Sequence, residues 1–178
     1  MELEWDQIVA QHSAIVWRTV TRLVPEQADA ADCFQRTFIS AWELSQRQQI
    51  RHWSALLRQL ATSRALERRR ELARNRGRFG EFPSDGVVDP RADDPACHAE
   101  AAELEVRLRN ALAEIGSREA EVFCLACLEG MSYREIGLHM EVTVNHVGVL
   151  LNRARSQLRS RLAGVVLNPN STEAESSL

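Results

Sequence analysis

Residues 132–162, S-Y-R-E-I-G-L-H-M-E-V-T-V-N-H-V-G-V-L-L-N-R-A-R-S-Q-L-R-S-R-L, read as two helices joined by a tight turn. Ser132 followed three residues on by Glu135 is a capping box, in which side chain and backbone satisfy each other's orphan donors at a helix start. Ile136 and Met140 give the first helix an apolar face, with Leu138 nearby. The chain then passes Glu141 and Val142 to a second start signal at Thr143. Beyond it Val147, Leu150, Leu151, Ala154 and Leu158 recur at spacings of three and four, which stripes one side of a long helix. Asn145, His146, Asn152, Arg153 and Arg155 lie away from most of that stripe. This pattern fits a helix-turn-helix, which projects its second helix into a major groove. It fits equally a helical hairpin packed in a core. A third helix predicted upstream, roughly Ser117 to Leu128 with Gly130 as its stop, favours the compact three-helix unit.

Working outward, the amino-terminal part shows three more helical patterns. Ile8, Val9, His12, Ile15, Val16, Thr19 and Leu23 recur at helical spacing from Leu3 to about Val24, and Pro25 ends that run. A second helix is predicted from Glu26–Asp29 to about Gln46, with Ala30, Cys33, Phe34, Phe38, Ala41 and Trp42 available for burial. Asp29, Asp32, Gln35 and Arg36 fall on its polar side, a strip that suits a solvated face or a docking surface. Residues 45–52, S-Q-R-Q-Q-I-R-H, interrupt the pattern with a polar connector that includes Arg51. The third helix, Trp53 to about Arg76, presents Trp53, Leu56, Leu57, Leu60, Ala61, Ala65 and Leu66 inward and ends in Arg64, Arg68, Arg69, Arg70, Arg74 and Arg76. Such a row suits phosphate contacts, or a helix end that complements the macrodipole.

Composition narrows the function classes. At 178 residues and 44% apolar content the chain can hold one large or two small cores. All 22 basic residues are arginine, yet the formal charge is −3, so the chain is not a free-standing polyanion binder driven by a large counterion-release term. Residues 1–70 hold ten arginines against eight acidic residues, residues 71–100 four against seven, and residues 101–165 eight against eight. The acidic middle, G-R-F-G-E-F-P-S-D-G-V-V-D-P-R-A-D-D-P-A-C-H, has three of the five prolines and no helical period, and reads as a linker.

The amino terminus M-E-L-E-W-D is acidic where a signal peptide would be basic, and no run is long enough to span a bilayer, so a cytoplasmic protein is expected. Cys33, Cys97, Cys124 and Cys127 match neither a disulfide framework nor a paired zinc knuckle. Cys124 and Cys127 are expected as small buried hydrophobes, the lesser alternative being a metal or redox site formed with Cys97 and His98; no cofactor is predicted. Nor is there a Gly-rich phosphate loop or a Ser-His-Asp set, so no catalytic residue is assigned and the chain is not read as an enzyme.

Residues 111–158, above all E-G-M-S-Y-R-E-I and R-A-R-S-Q-L, resemble the fourth region of sigma factors of the extracytoplasmic-function class. The D-x-x-D-x-x-Q-x-x-F-x-x-x-W pattern from Asp29 to Trp42 resembles their second region, and L-R-Q-L-A-T-S-R-A-L-E-R-R-R resembles their promoter-melting helix. The chain departs from the family at Ser63, Glu67, Glu141 and the Gly148-Val149-Leu150 run. The resemblance implies an all-α fold of two small helical domains joined by the acidic linker. Residues 1–76 would be the region 2-like bundle, 77–100 the linker, 101–165 the region 4-like helix-turn-helix, and 166–178 a disordered tail.

It implies core RNA polymerase and promoter DNA as partners, and leaves room for an anti-sigma factor. Asp29, Asp32, Gln35 and Arg36 would then dock on the polymerase, and the connector at 45–52 would capture a flipped base. Arg51, Arg64, Arg68, Arg69 and Arg70 would meet DNA from the first domain. Asn145, His146, Val149, Asn152 and Arg153 would do so from the recognition helix. The competing readings are a stand-alone helix-turn-helix regulator and a sigma-like adaptor that no longer reads DNA.

Overall fold

A computed structural model describes residues 5–79 and 95–166. Its elements run α1 (Trp5–Leu23), α2 (Gln27–Ser45), α3 (Trp53–Phe79), α4 (Pro95–Glu114), α5 (Ser117–Phe123), a π turn (Cys124–Leu128), α6 (Tyr133–His139) and α7 (Val144–Val166). There is no strand among the described residues. Helix α3 runs on to Phe79 and α4 begins at Pro95, so residues 77–79 and 95–100, expected as linker, are helical. Pro95 at the first helical position explains the start of α4, because the missing N–H is one that a helix leaves unpaired there anyway. The remainder of the expected linker, and the expected tail beyond Val166, lie outside the described residues.

Helices α1–α3 pack round one apolar cluster built from Ile8, Val16 and Val20, from Ala30, Cys33, Phe38 and Ala41, and from Leu57 and Ala61. Its outer end is an aromatic group. Trp5 meets Phe38 at 6.3 Å and Trp53 at 5.8 Å between ring centroids, and Phe34 meets Phe38 at 5.0 Å, all edge to face. The helix-turn-helix has its own cluster of Val122, Leu125, Met131, Ile136, Val147, Leu150 and Leu151, joined by Ala55 of α3.

A third cluster belongs to both halves. Leu23, Val24, Ala65 and Leu66 pack with Ala111, Leu112, Ile115, Ala120, Cys124, Ala154 and Leu158. Helix α3 is therefore apolar in two directions, with Leu57 and Ala61 facing the first bundle and Ala55, Ala65 and Leu66 in clusters with the second half.

Two core expectations fail. Trp42 is 49% exposed, because Ala41 and Phe38 already fill the α2 face turned to the bundle. Cys124 is buried, but Cys127 is exposed. The intervening turn closes i to i+5, which winds less per residue than an α-helix, so positions three apart no longer share a face.

Candidate nucleic-acid interface

The helix-turn-helix is built from its caps outward. Ser132 donates its backbone N–H to Glu135 Oε2 at 2.8 Å and its Oγ accepts from the Glu135 N–H at 3.3 Å. The Ser132 hydroxyl also donates to Glu135 Oε2 at 2.7 Å, and this bond first, then the one from the Ser132 backbone N–H, holds the Glu135 carboxyl below the ordinary carboxylate range. Helix α6 ends in a Schellman turn. The Val142 N–H donates to the Gly137 carbonyl at 2.9 Å, with Glu141 between them at φ 55° in the left-handed region.

Glycine occupies that region without steric cost, whereas a side chain there costs roughly 1–2 kcal/mol. The departure of this chain at Glu141 therefore carries strain. Glu141→Gly is expected to raise the unfolding free energy by about 1 kcal/mol, read as a shift of the thermal midpoint. An unchanged or lowered midpoint would mean that the Glu141 side chain compensates its backbone.

Helix α7 starts where the Thr143 Oγ1 accepts from the His146 N–H at 3.2 Å. Val147, Leu150, Leu151, Ala154 and Leu158 are buried. Asn145, His146, Val149, Asn152 and Arg153 are all exposed, so one face of a 23-residue helix is held by the core and the other is free to enter a groove. Beside the turn an open cleft of about 710 Å³ runs between the halves, lined by His52, Ala55, Leu138, His139, Val142 and Val144 among others. Burial, then the facing His52, keeps His139 below the ordinary histidine range, with Glu135 opposing.

The arginines of the first half are placed differently. Arg51 is exposed in the connector ahead of α3. Arg64 bonds Glu67 at 3.0 Å and Ser40 at 3.0 Å. Arg68 bridges Asp29 at 2.7 Å and Glu71 at 3.1 Å, and the bond to Asp29 is the main reason its guanidinium is held charged more firmly than usual. Arg69 is only 5% exposed and donates to Asn110 Oδ1 of α4 at 2.7 Å. Arg70 is half-buried, near Glu121, whose carboxyl burial pushes up. The row read as one phosphate-facing surface is thus split. Arg51 stands open, Arg64 and Arg68 are tied to carboxylates, and Arg69 and Arg70 turn toward the second half.

On α2, Asp32 and Arg36 form an exposed pair at 3.3 Å and Gln35 is exposed, while Asp29 is drawn inward by Arg68. Ile39, 56% exposed, and Trp42 continue the strip; Trp42 was expected in the core and Ile39 carried no expectation. Their spacing from Asp32 and Gln35 was the available signal: positions 32, 35, 39 and 42 share a helix face. Among the described residues no group of three His, Cys, Asp or Glu stands close enough to hold a metal. No helix among them is long and apolar enough to cross a membrane.

Comparison with known proteins places this geometry. The family described as Sigma-70, region 4, matches residues 105–158, from the middle of α4 to the buried end of the α7 stripe. The ECF RNA polymerase sigma factor SigE of Mycolicibacterium smegmatis is 32% identical over 160 residues, covering 89% of this chain. The chain spans 62% of the length of that relative. Among solved structures, the sigma factor RpoE in complex with the anti-sigma factor NepR from Bartonella quintana superposes with a TM-score of 0.57 at 16% identity, covering 90% of this chain and 97% of that one. CnrH, solved with the cytosolic domain of CnrY, gives a TM-score of 0.55 at 22% identity over 90% of this chain and 88% of that one. These two share the all-helical fold.

Proposed function

We propose that this chain is a sigma factor of the extracytoplasmic-function class, which binds core RNA polymerase and directs it to promoters. In this reading it is a subunit without an active site of its own and works in the cytoplasm, where the polymerase and its template are. The observation that carries the reading is the exposed face of α7, which offers Asn145, His146, Val149, Asn152 and Arg153 while the opposite stripe is buried in a region 4 domain. Helix α2 supplies the second surface. Asp32, Gln35 and Arg36, with Ile39 and Trp42, form an exposed strip of mixed character that suits docking on the polymerase better than a purely solvated face, which has no use for two large apolar side chains. Asp29 contributes from the edge of that strip through its pair with Arg68. Arg51, Arg64 and Arg68 are the promoter-facing candidates of the first half, whereas Arg69 and Arg70, turned toward the second half, are not. An anti-sigma factor is a further partner class, since the Bartonella quintana fold relative was solved with one.

Run-off transcription with core enzyme over fragments of the source genome tests the proposal. Transcripts with defined starts that require both core and this chain are the expected result. Tight, strongly salt-dependent promoter binding by the chain alone, with no effect on core, would favour a stand-alone regulator.

Within that assay the recognition helix makes a finer prediction. Asn can pair in bidentate fashion with adenine and Val149 can meet a thymine methyl, so α7 suits an A·T-containing upstream element. Asn145→Ala is expected to relax preference at one position by ~1–3 kcal/mol. Arg153→Ala is expected instead to weaken binding across all sequences and reduce the salt slope by about 1, as a phosphate contact does. Identical sequence preference in both variants, measured over a promoter library, would remove base reading from α7.

A further inference from the structure

We propose that the cleft beside the helix-turn-helix is a small-molecule site for a carboxylate on a hydrocarbon chain, its head held by His52, His139 and Arg134 and its chain laid along Leu138, Val142 and Val144. The site does not depend on the sigma reading. Its volume of about 710 Å³ falls within the roughly 300–1,000 Å³ of small-molecule sites, which combine mostly apolar walls with a few placed polar groups. The cleft has both parts.

The apolar wall calls for a chain. Leu138 is 69% exposed and Val144 48%, and both line the same opening, with Ala55 buried on its α3 side. Neither belongs to the set of α7 side chains that a DNA groove would receive, and a DNA phosphate has no apolar part with which to cover them. Apolar side chains gathered at one opening mark a place where something apolar is bound. Because Val142 and Val144 flank the start of α7, an occupant there touches the motif directly ahead of Asn145 and His146.

Charge complementarity selects the head. His52, exposed at the entry to α3, and the half-buried His139 of α6 face one another in the cleft. Arg134 lines it too, exposed and with no ion pair among the described residues. Two carboxylates line the cleft, but Glu135 accepts from the Ser132 N–H at 2.8 Å and hydroxyl at 2.7 Å, which leaves Glu141 as the free acid. Burial first, and then His52, hold His139 below the ordinary histidine range, with Glu135 opposing; Arg58 of α3 is a further charge near Glu135. An anion seated between the two rings offsets the repulsion that keeps them neutral, whereas a cation adds to it. Since the anion favours the protonated rings, affinity rises as pH falls through the histidine range.

Calorimetric titration of the full chain with hexanoate, octanoate and decanoate, all kept below micelle formation, tests the site. Affinity is expected to rise about fourfold for each added CH₂, the fold-change that burying a methylene gives. Octylamine is expected to bind at least about tenfold more weakly than octanoate, because it meets the imidazoles and Arg134 with the wrong sign. Between pH 8 and pH 6, where octanoate stays ionised, its binding is expected to tighten about fivefold or more, and the His52→Gln, His139→Gln double variant to lose that pH dependence. Leu138→Glu changes an exposed helix position, so the fold survives, and places a carboxylate where the chain would lie; octanoate binding is expected to fall at least about tenfold. The proposal is overturned if octanoate gives no saturable heat, if octylamine binds as well as octanoate, or if a Leu138→Glu chain with unchanged circular dichroism binds as the parent does.

Discussion

Gly137→Ala is expected to lower the unfolding free energy by about 2–3 kcal/mol, the upper part of the range for an overpacked site. A Cβ at position 137 would stand 2.8 Å from the Val142 carbonyl oxygen, closer than real Cβ contacts come. The oxygen belongs to the backbone of the turn, so it cannot swing aside as a flexible side chain would. Moving it pulls on the Val142 N–H to Gly137 carbonyl bond, which closes the turn between the two helices of the motif. The thermal midpoint is expected to fall by about 5–10 °C for a chain of this size. Gly148 supplies the control with the opposite sign. It lies inside α7, and an added Cβ there meets nothing within 4 Å. Gly148→Ala is therefore expected to stabilise by about 0.5–1 kcal/mol through helix propensity alone. Equal effects at the two glycines would mean that the turn is not held as tightly as its geometry implies.

The helix-turn-helix was legible in the sequence because its signals are local. A capping box at Ser132, a hydroxyl start at Thr143 and an apolar stripe from Val147 to Leu158 each depend on residues a few positions apart. Pro25 marked the end of α1 for the same reason. What escaped is non-local. Nothing in a run of arginines distinguishes Arg69, buried against Asn110, from Arg74, which stays exposed; the difference is made by α4, some forty positions downstream. The second apolar direction of α3 was hidden likewise, because Ala55 is too small to signal a buried face by itself and Ala65 and Leu66 read as one face with Leu57 and Ala61. Trp42 and Cys127 misled in the reverse sense, each being a residue type that is usually buried. For the candidate site, the exposed face of α7 followed directly from its stripe, whereas the placement of the α3 arginines needed the packing of the whole chain.

That packing makes the second large prediction. Leu66 of α3 and Leu112 of α4 are each 1% exposed and belong to the same cluster, although they come from different halves. Leu66→Ala and Leu112→Ala are each expected to cost about 2–5 kcal/mol, the transfer of the lost side chain plus the cavity left behind. Size alone would not show that the halves share a core, since either leucine could be buried by its own half. The double variant separates the cases. Residues coupled through one cavity deviate from additivity by about 0.5–3 kcal/mol, whereas independent sites add to within about 0.3–0.5 kcal/mol. Chemical unfolding of the parent, both single variants and the double is expected to give coupling in the first range and a single transition throughout. Strict additivity, with two transitions of which each leucine moves only one, would show that the halves do not share this core in solution.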